Sequence, residues 1–100
     1  MATIHVTQIG NVATLAPGAT YVFRWNNPPW ATALSYFAYP DPPPASGPHG
    51  TRTGSVEITR VTCTHIKDNY NSDKKYVEIH VKNIGGSDTG FDLYQSWITG

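Results

Sequence analysis

Apolar and polar residues alternate along much of this chain with a period of two, the spacing of a strand that shows one side to a core and the other to solvent. Ile4 and Val6 alternate with His5 and Thr7, giving a first strand that ends near Ile9-Gly10. Ala16-Pro17-Gly18-Ala19 follows, with Pro preset for the first corner of a type II turn and Gly for its positive-φ second corner. Tyr21, Phe23 and Trp25 then share one face of a second strand, which Asn26-Asn27-Pro28-Pro29 stops because proline brings no donor to the ladder. A third strand is predicted from Trp30 to Ala38.

The next stretch, residues 39–54, contains five prolines and is predicted to be a loop long enough to carry contacts. Val56 and Ile58 lie in one phase and Val61, Cys63 and His65 in the other, which calls for a bulge near Thr59-Arg60 or a change of sheet. Val77, Ile79 and Val81 form a clean strand, and Phe91, Leu93 and Trp97 mark the last one. Matching apolar faces sets His65 opposite Val77, Cys63 opposite Ile79 and Val61 opposite Val81. By the same rule Val81 faces Leu93, Ile79 faces Gln95 and Val77 faces Trp97, making one three-stranded sheet. No stretch repeats apolar residues at helical spacing free of Pro and Gly. The fold is therefore expected to be all-β: an immunoglobulin-like antiparallel β-sandwich of six to seven short strands.

Composition narrows this further. One hundred residues with 39% hydrophobic content make a single domain, residues 1–100. Seven Lys and Arg balance seven Asp and Glu, so no basic field points to nucleic acid. No apolar run approaches the roughly 20 residues of a membrane helix, and the first residues lack the charged and apolar regions of a signal peptide; a soluble chain with no membrane partner is expected. With Cys63 alone, no internal disulfide supports the fold.

Two stretches carry a family resemblance. Val77-Glu78-Ile79-His80-Val81-Lys82-Asn83-Ile84-Gly85, running on to Phe91-Asp92-Leu93-Tyr94, is similar to the V-x-V-x-N-x-G hairpin of bacterial adhesion-related immunoglobulin-like modules of the CARDB type. Residues 15–25, from Leu15-Ala16-Pro17-Gly18 to Trp25, resemble their L-x-P-G-x-[ST] turn and strand, in reversed order. The resemblance covers about a third of the chain and implies a spacer or binding domain rather than an enzyme; its motifs are structural and assign no binding residue.

Candidate chemistry is sparse. His65 and His80 fall in opposite phases and cannot share an ion, and no H-x-x-x-H or C-x-x-C spacing occurs, so no metal and no cofactor are expected. Asp68-Asn69-Tyr70-Asn71-Ser72-Asp73 has oxygens but lacks the Gly at position six and Glu at position twelve of an EF-hand. Cys63 and His65 are read as core residues, and no nucleophile motif is present, so the chain is read as non-catalytic. Aromatic residues are the richest feature. Trp25 belongs to the core, whereas Trp30, Tyr36 and Tyr39, with His49 in the proline-rich loop, are the candidate ligand-binding residues for a carbohydrate or protein surface. The alternative is an assembly subunit: the first strand has no Pro, Lys or Glu to guard an edge, so a homo-oligomer is expected.

Overall fold

The computed structural model describes residues 2–26, 33–44, 50–67 and 73–99. They form six strands: β1 (Thr3–Leu15), β2 (Thr20–Asn26), β3 (Ala33–Asp41), β4 (Val56–Lys67), β5 (Asp73–Asn83) and β6 (Thr89–Thr99). Two antiparallel three-stranded sheets result, β1-β6-β3 and β2-β5-β4. The all-β sandwich is as the alternation predicts. The order β1-β6-β3 and β2-β5-β4 is that of a small antiparallel β-sandwich.

β5 and β6 lie in different sheets, which corrects the three-stranded sheet expected of β4, β5 and β6. Val81 and Leu93 belong to facing layers and not to neighbouring strands of one ladder. Either arrangement joins the same apolar faces, so alternation could not separate them. The β4–β5 pairing is as expected, yet its register is displaced by two residues: Cys63 faces Val77, Val61 faces Ile79 and His65 faces Lys75. The expected bulge is there, between Ile58 and Arg60, and it lets Ile58 meet Val81 before the phase changes. A displacement of two leaves every side chain on its predicted face, which is why patterning alone cannot detect it.

Two further bounds move. β1 continues to Leu15 through irregularities at Gln8/Gly10 and Val12/Leu15 instead of ending at Ile9. β3 continues through Pro40 to Asp41, residues expected to open the loop. β3 has a neighbour on one side only, so half its backbone donors are not called on and proline is tolerated.

Among the described residues the buried apolar ones are Leu15, Val77, Ile79, Val81, Phe91 and Leu93, all but Leu15 on the two central strands. Phe23, Trp25, Tyr36 and Ile58 pack around them, which places Trp25 with the core as expected. Cys63 and His65 are exposed, correcting their reading as core residues. Their strand face was right. β4 is an edge strand of a sandwich only 17 Å thick, however, and its inward residues are covered from one side only.

Two glycines set local geometry. Gly18 has φ of 78° and occupies the second corner of the Pro-Gly turn, closed by Ala19 N donating to Ala16 O at 3.0 Å. Gly10 gives up its side chain for a neighbour: a Cβ there would sit 2.7 Å from Cε2 of Phe23 in the facing sheet. Gly10→Ala is expected to destabilise by about 1 to 3 kcal/mol through overpacking. Gly86→Ala, with nothing within 4 Å and no positive φ, should stay within about 0.5 kcal/mol. Paired urea melts check the contrast.

Candidate functional site

The two outer faces of the sandwich differ in chemistry. Strand pairing assigns Arg24, Glu57, Arg60, Lys74, Glu78 and Lys82 to the outside of β2-β5-β4. There Arg24 approaches Glu78 at 3.8 Å and stacks over Tyr76, 3.8 Å from its ring centre. The outside of β1-β6-β3 carries Ile4, Val6, Gln8 and Asn11 on β1, Asp92, Tyr94, Ser96 and Ile98 on β6, and Ser35, Phe37, Tyr39 and Asp41 on β3. Among the described residues its charges are Asp41 and Asp92 alone.

At the centre of this face three rings form a cluster. Phe37 and Tyr94 sit opposite each other on β3 and β6 and stack, with centroids 5.4 Å apart and planes 13° from parallel. Tyr39 stands edge-on to both, at 5.5 Å from Phe37 and 5.7 Å from Tyr94. Such pairs hold each other in place by about 0.5 to 1.5 kcal/mol beyond the area they bury. Tyr39 remains 60% exposed. Polar groups lie alongside: Asp92 is opposite Tyr39 on one side and Asn11 on the other, Gln8 is opposite Tyr94, and Gln8 Nε2 donates to Asp92 Oδ1 at 3.5 Å. Beyond the rings the Ser35 and Ser96 hydroxyls bond at 2.8 Å.

No family model, curated protein or solved structure matches the chain.

Of the four predicted ligand-binding residues, Tyr39 is in the cluster and Tyr36 is not. Tyr36 lies on the inner face of β3, packs against the core, and its hydroxyl accepts from Gln95 Nε2 at 3.5 Å. Burial pushes its pKa up, the Cys63 thiol adds to the rise, and the Gln95 bond opposes it. Trp30 and His49 lie outside the described residues, as do residues 68–72 of the acidic turn. Phe37 stands among the aromatic residues that the sequence offers but not among the four candidates, and Tyr94, Gln8 and Asp92 were missed. Their signal was phase: Phe37 and Tyr39 are two apart, and Tyr94 and Asp92 fall between the buried Phe91, Leu93 and Gln95.

Among the described residues no three His, Cys, Asp or Glu gather to hold a metal, and no helix is long and apolar enough to cross a membrane.

Proposed function

We propose that this chain is a non-catalytic binding module that takes a carbohydrate on the outer face of β1-β6-β3. The observation that carries this reading is Tyr39, an exposed ring braced by Phe37 and Tyr94 and flanked by Gln8, Asn11 and Asp92. A sugar ring has one face of C–H groups that packs on an aromatic side chain and a rim of hydroxyls that needs donors and acceptors. The braced ring supplies the first. The two amides and the carboxylate supply the second, through a fixed set of acceptors and N–H donors on rigid strands. Asp41, at the end of β3, leads from this face into the proline-rich segment, which supports a contribution from that loop.

The test is a glycan array followed by titration of the oligosaccharides that bind. Tyr39→Ala is expected to weaken binding by about tenfold or more, as loss of a central aromatic contact does. Arg24→Ala, on the opposite outer face, should leave affinity unchanged, and both variants should retain the wild-type circular-dichroism spectrum. Absence of glycan binding by the wild type overturns the carbohydrate reading. Binding of a protein partner with the same Tyr39 dependence would assign the face to a protein surface instead.

A further inference from the structure

Among the described residues the sandwich has four lateral edges: β1 and β3 in one sheet, β2 and β4 in the other. An edge strand offers unpaired N–H and C=O groups to any strand that can reach them, and proteins blunt it with proline, charge, bulges or short length. β3 carries Pro40 and Asp41. β4 carries Glu57, Arg60, Lys67 and the bulge near Thr59, and β2 is 7 residues long and includes Arg24. β1 has 13 residues without Pro, Lys, Arg, Asp or Glu, and its first six ladder partners, from Thr3 to Gln8, run without a break. Irregularities blunt only its second half.

We infer that residues 3–7 pair with the same residues of a second copy of this chain, antiparallel about a two-fold axis, joining two β1-β6-β3 sheets into one sheet of six strands. The register follows from the side chains. A two-fold axis perpendicular to the sheet keeps inner and outer faces apart only when each residue meets one of the same parity. Centring the axis on His5 sets Ile4 opposite Val6 of the second copy, Thr3 opposite Thr7, and His5 opposite itself. Centring on Val6 would set Ile4 opposite Gln8, and centring on Ile4 would set Val6 opposite Ala2 and Thr3 opposite His5. Only the first register matches apolar with apolar and Thr with Thr.

Three observations support it. Ile4 and Val6 are 66% and 58% exposed, and as directly opposed cross-strand pairs they would cover each other. β1 holds no Lys, Arg, Asp or Glu that would oppose itself across the axis. His5 is also anchored to β6: it stacks on Trp97 with centroids 4.1 Å apart, and its Nε2 lies 2.9 Å from Thr99 Oγ1. Pairing puts both outer faces on the same side, so two Tyr39 clusters would lie on one continuous surface. This last consequence rests on the binding reading; the dimer itself does not.

Sedimentation equilibrium of the full chain at micromolar concentrations tests the proposal. The wild type is expected to move from 11.0 kDa toward twice that mass as concentration rises. Ile4→Lys with Val6→Lys places Lys against Lys at both cross-strand pairs and should give a monomer. Ile4→Glu with Val6→Lys places Glu against Lys at both and should restore the dimer. Both positions are exposed, so circular dichroism should show the fold retained. A wild type that stays at 11.0 kDa, a double-Lys variant that remains dimeric, or a charge-swapped variant that fails to reassociate overturns the inference. Glycan binding plays no part in the readout, so its failure leaves this result separate.

Discussion

Replacing Asn83 is expected to destabilise the protein more than any other polar substitution, with Asn83→Ala costing about 3 kcal/mol and Asn83→Asp about 3 to 5 kcal/mol at neutral pH. Asn83 is fully buried at the end of β5, where the chain leaves one sheet for the other. Its Nδ2 donates to Leu15 O and to Ser87 O, each at 2.9 Å, and its Oδ1 accepts from Gly85 N at 2.9 Å. Its backbone extends the same clasp, because Asn83 N donates to Ala19 O and Asn83 O accepts from Gly18 N. One residue thus ties both short crossings between the sheets, β1 to β2 and β5 to β6. Alanine keeps the backbone bonds but leaves the Leu15 carbonyl buried without its donor, at about 1 to 3 kcal/mol, with smaller losses at the two half-buried partners.

Aspartate is worse because it sets a carboxylate between two carbonyl oxygens. Ionisation there is disfavoured, so the introduced carboxyl should titrate above the usual carboxylate range. A raised folded-state pKa stabilises relative to neutral pH while the group stays protonated, and that stability is lost as pH rises through the folded value. Urea melts should therefore show Asn83→Asp recovering toward acid pH and Asn83→Ala changing no more than the wild type. Equal stability of both variants and wild type would mean that the two crossings hold without this side chain.

Ile79→Ala is expected to cost about 2 to 5 kcal/mol, the range for a large-to-small change in a core. Ile79 is fully buried at the middle of the central strand β5, between Phe23 on β2 and Val61 on β4. With strands on both sides and the facing sheet above, no neighbour is free to collapse into the gap. Glu78→Ala and Lys82→Ala, on the outer face of the same strand, should stay within about 0.5 kcal/mol, since an ion pair as exposed as Arg24–Glu78 contributes little. Equal losses in all three, read from denaturant midpoints, would show that the charged outer face is covered as well.

How much of this was legible in the chain differs from one feature to the next. The Pro17-Gly18 turn was readable because φ near 78° at its second corner is a local demand that glycine meets. The Asn83-Ile84-Gly85 stretch was readable as a turn. That its amide also reaches Leu15, 68 residues earlier, was not, because the bond depends on where two crossings meet. For the candidate site, Tyr39 was named correctly as an exposed aromatic, while Tyr36 was grouped with it although one residue of odd spacing sends the two to opposite faces of β3. Tyr94 was passed over as part of the last strand, although the inward phase of Phe91, Leu93 and Trp97 already sets it on the outer face.

The sequence by itself determined the strands, their faces and their turns, because period-two patterning and backbone chemistry act over a few residues. It also determined that β1 carries no Lys, Arg, Asp or Glu and that the apolar phase of β4 changes between Ile58 and Val61, where the structure chose a bulge over a change of sheet. Only the tertiary structure decided which strands share a sheet, the two-residue displacement between β4 and β5, and the exposure of Cys63. Each of these exchanges one apolar face for another of equal pattern, so the choice falls to whole-molecule geometry: which strand is central, which is an edge, and how a five-residue crossing held by Asn83 carries the chain from β5 to β6.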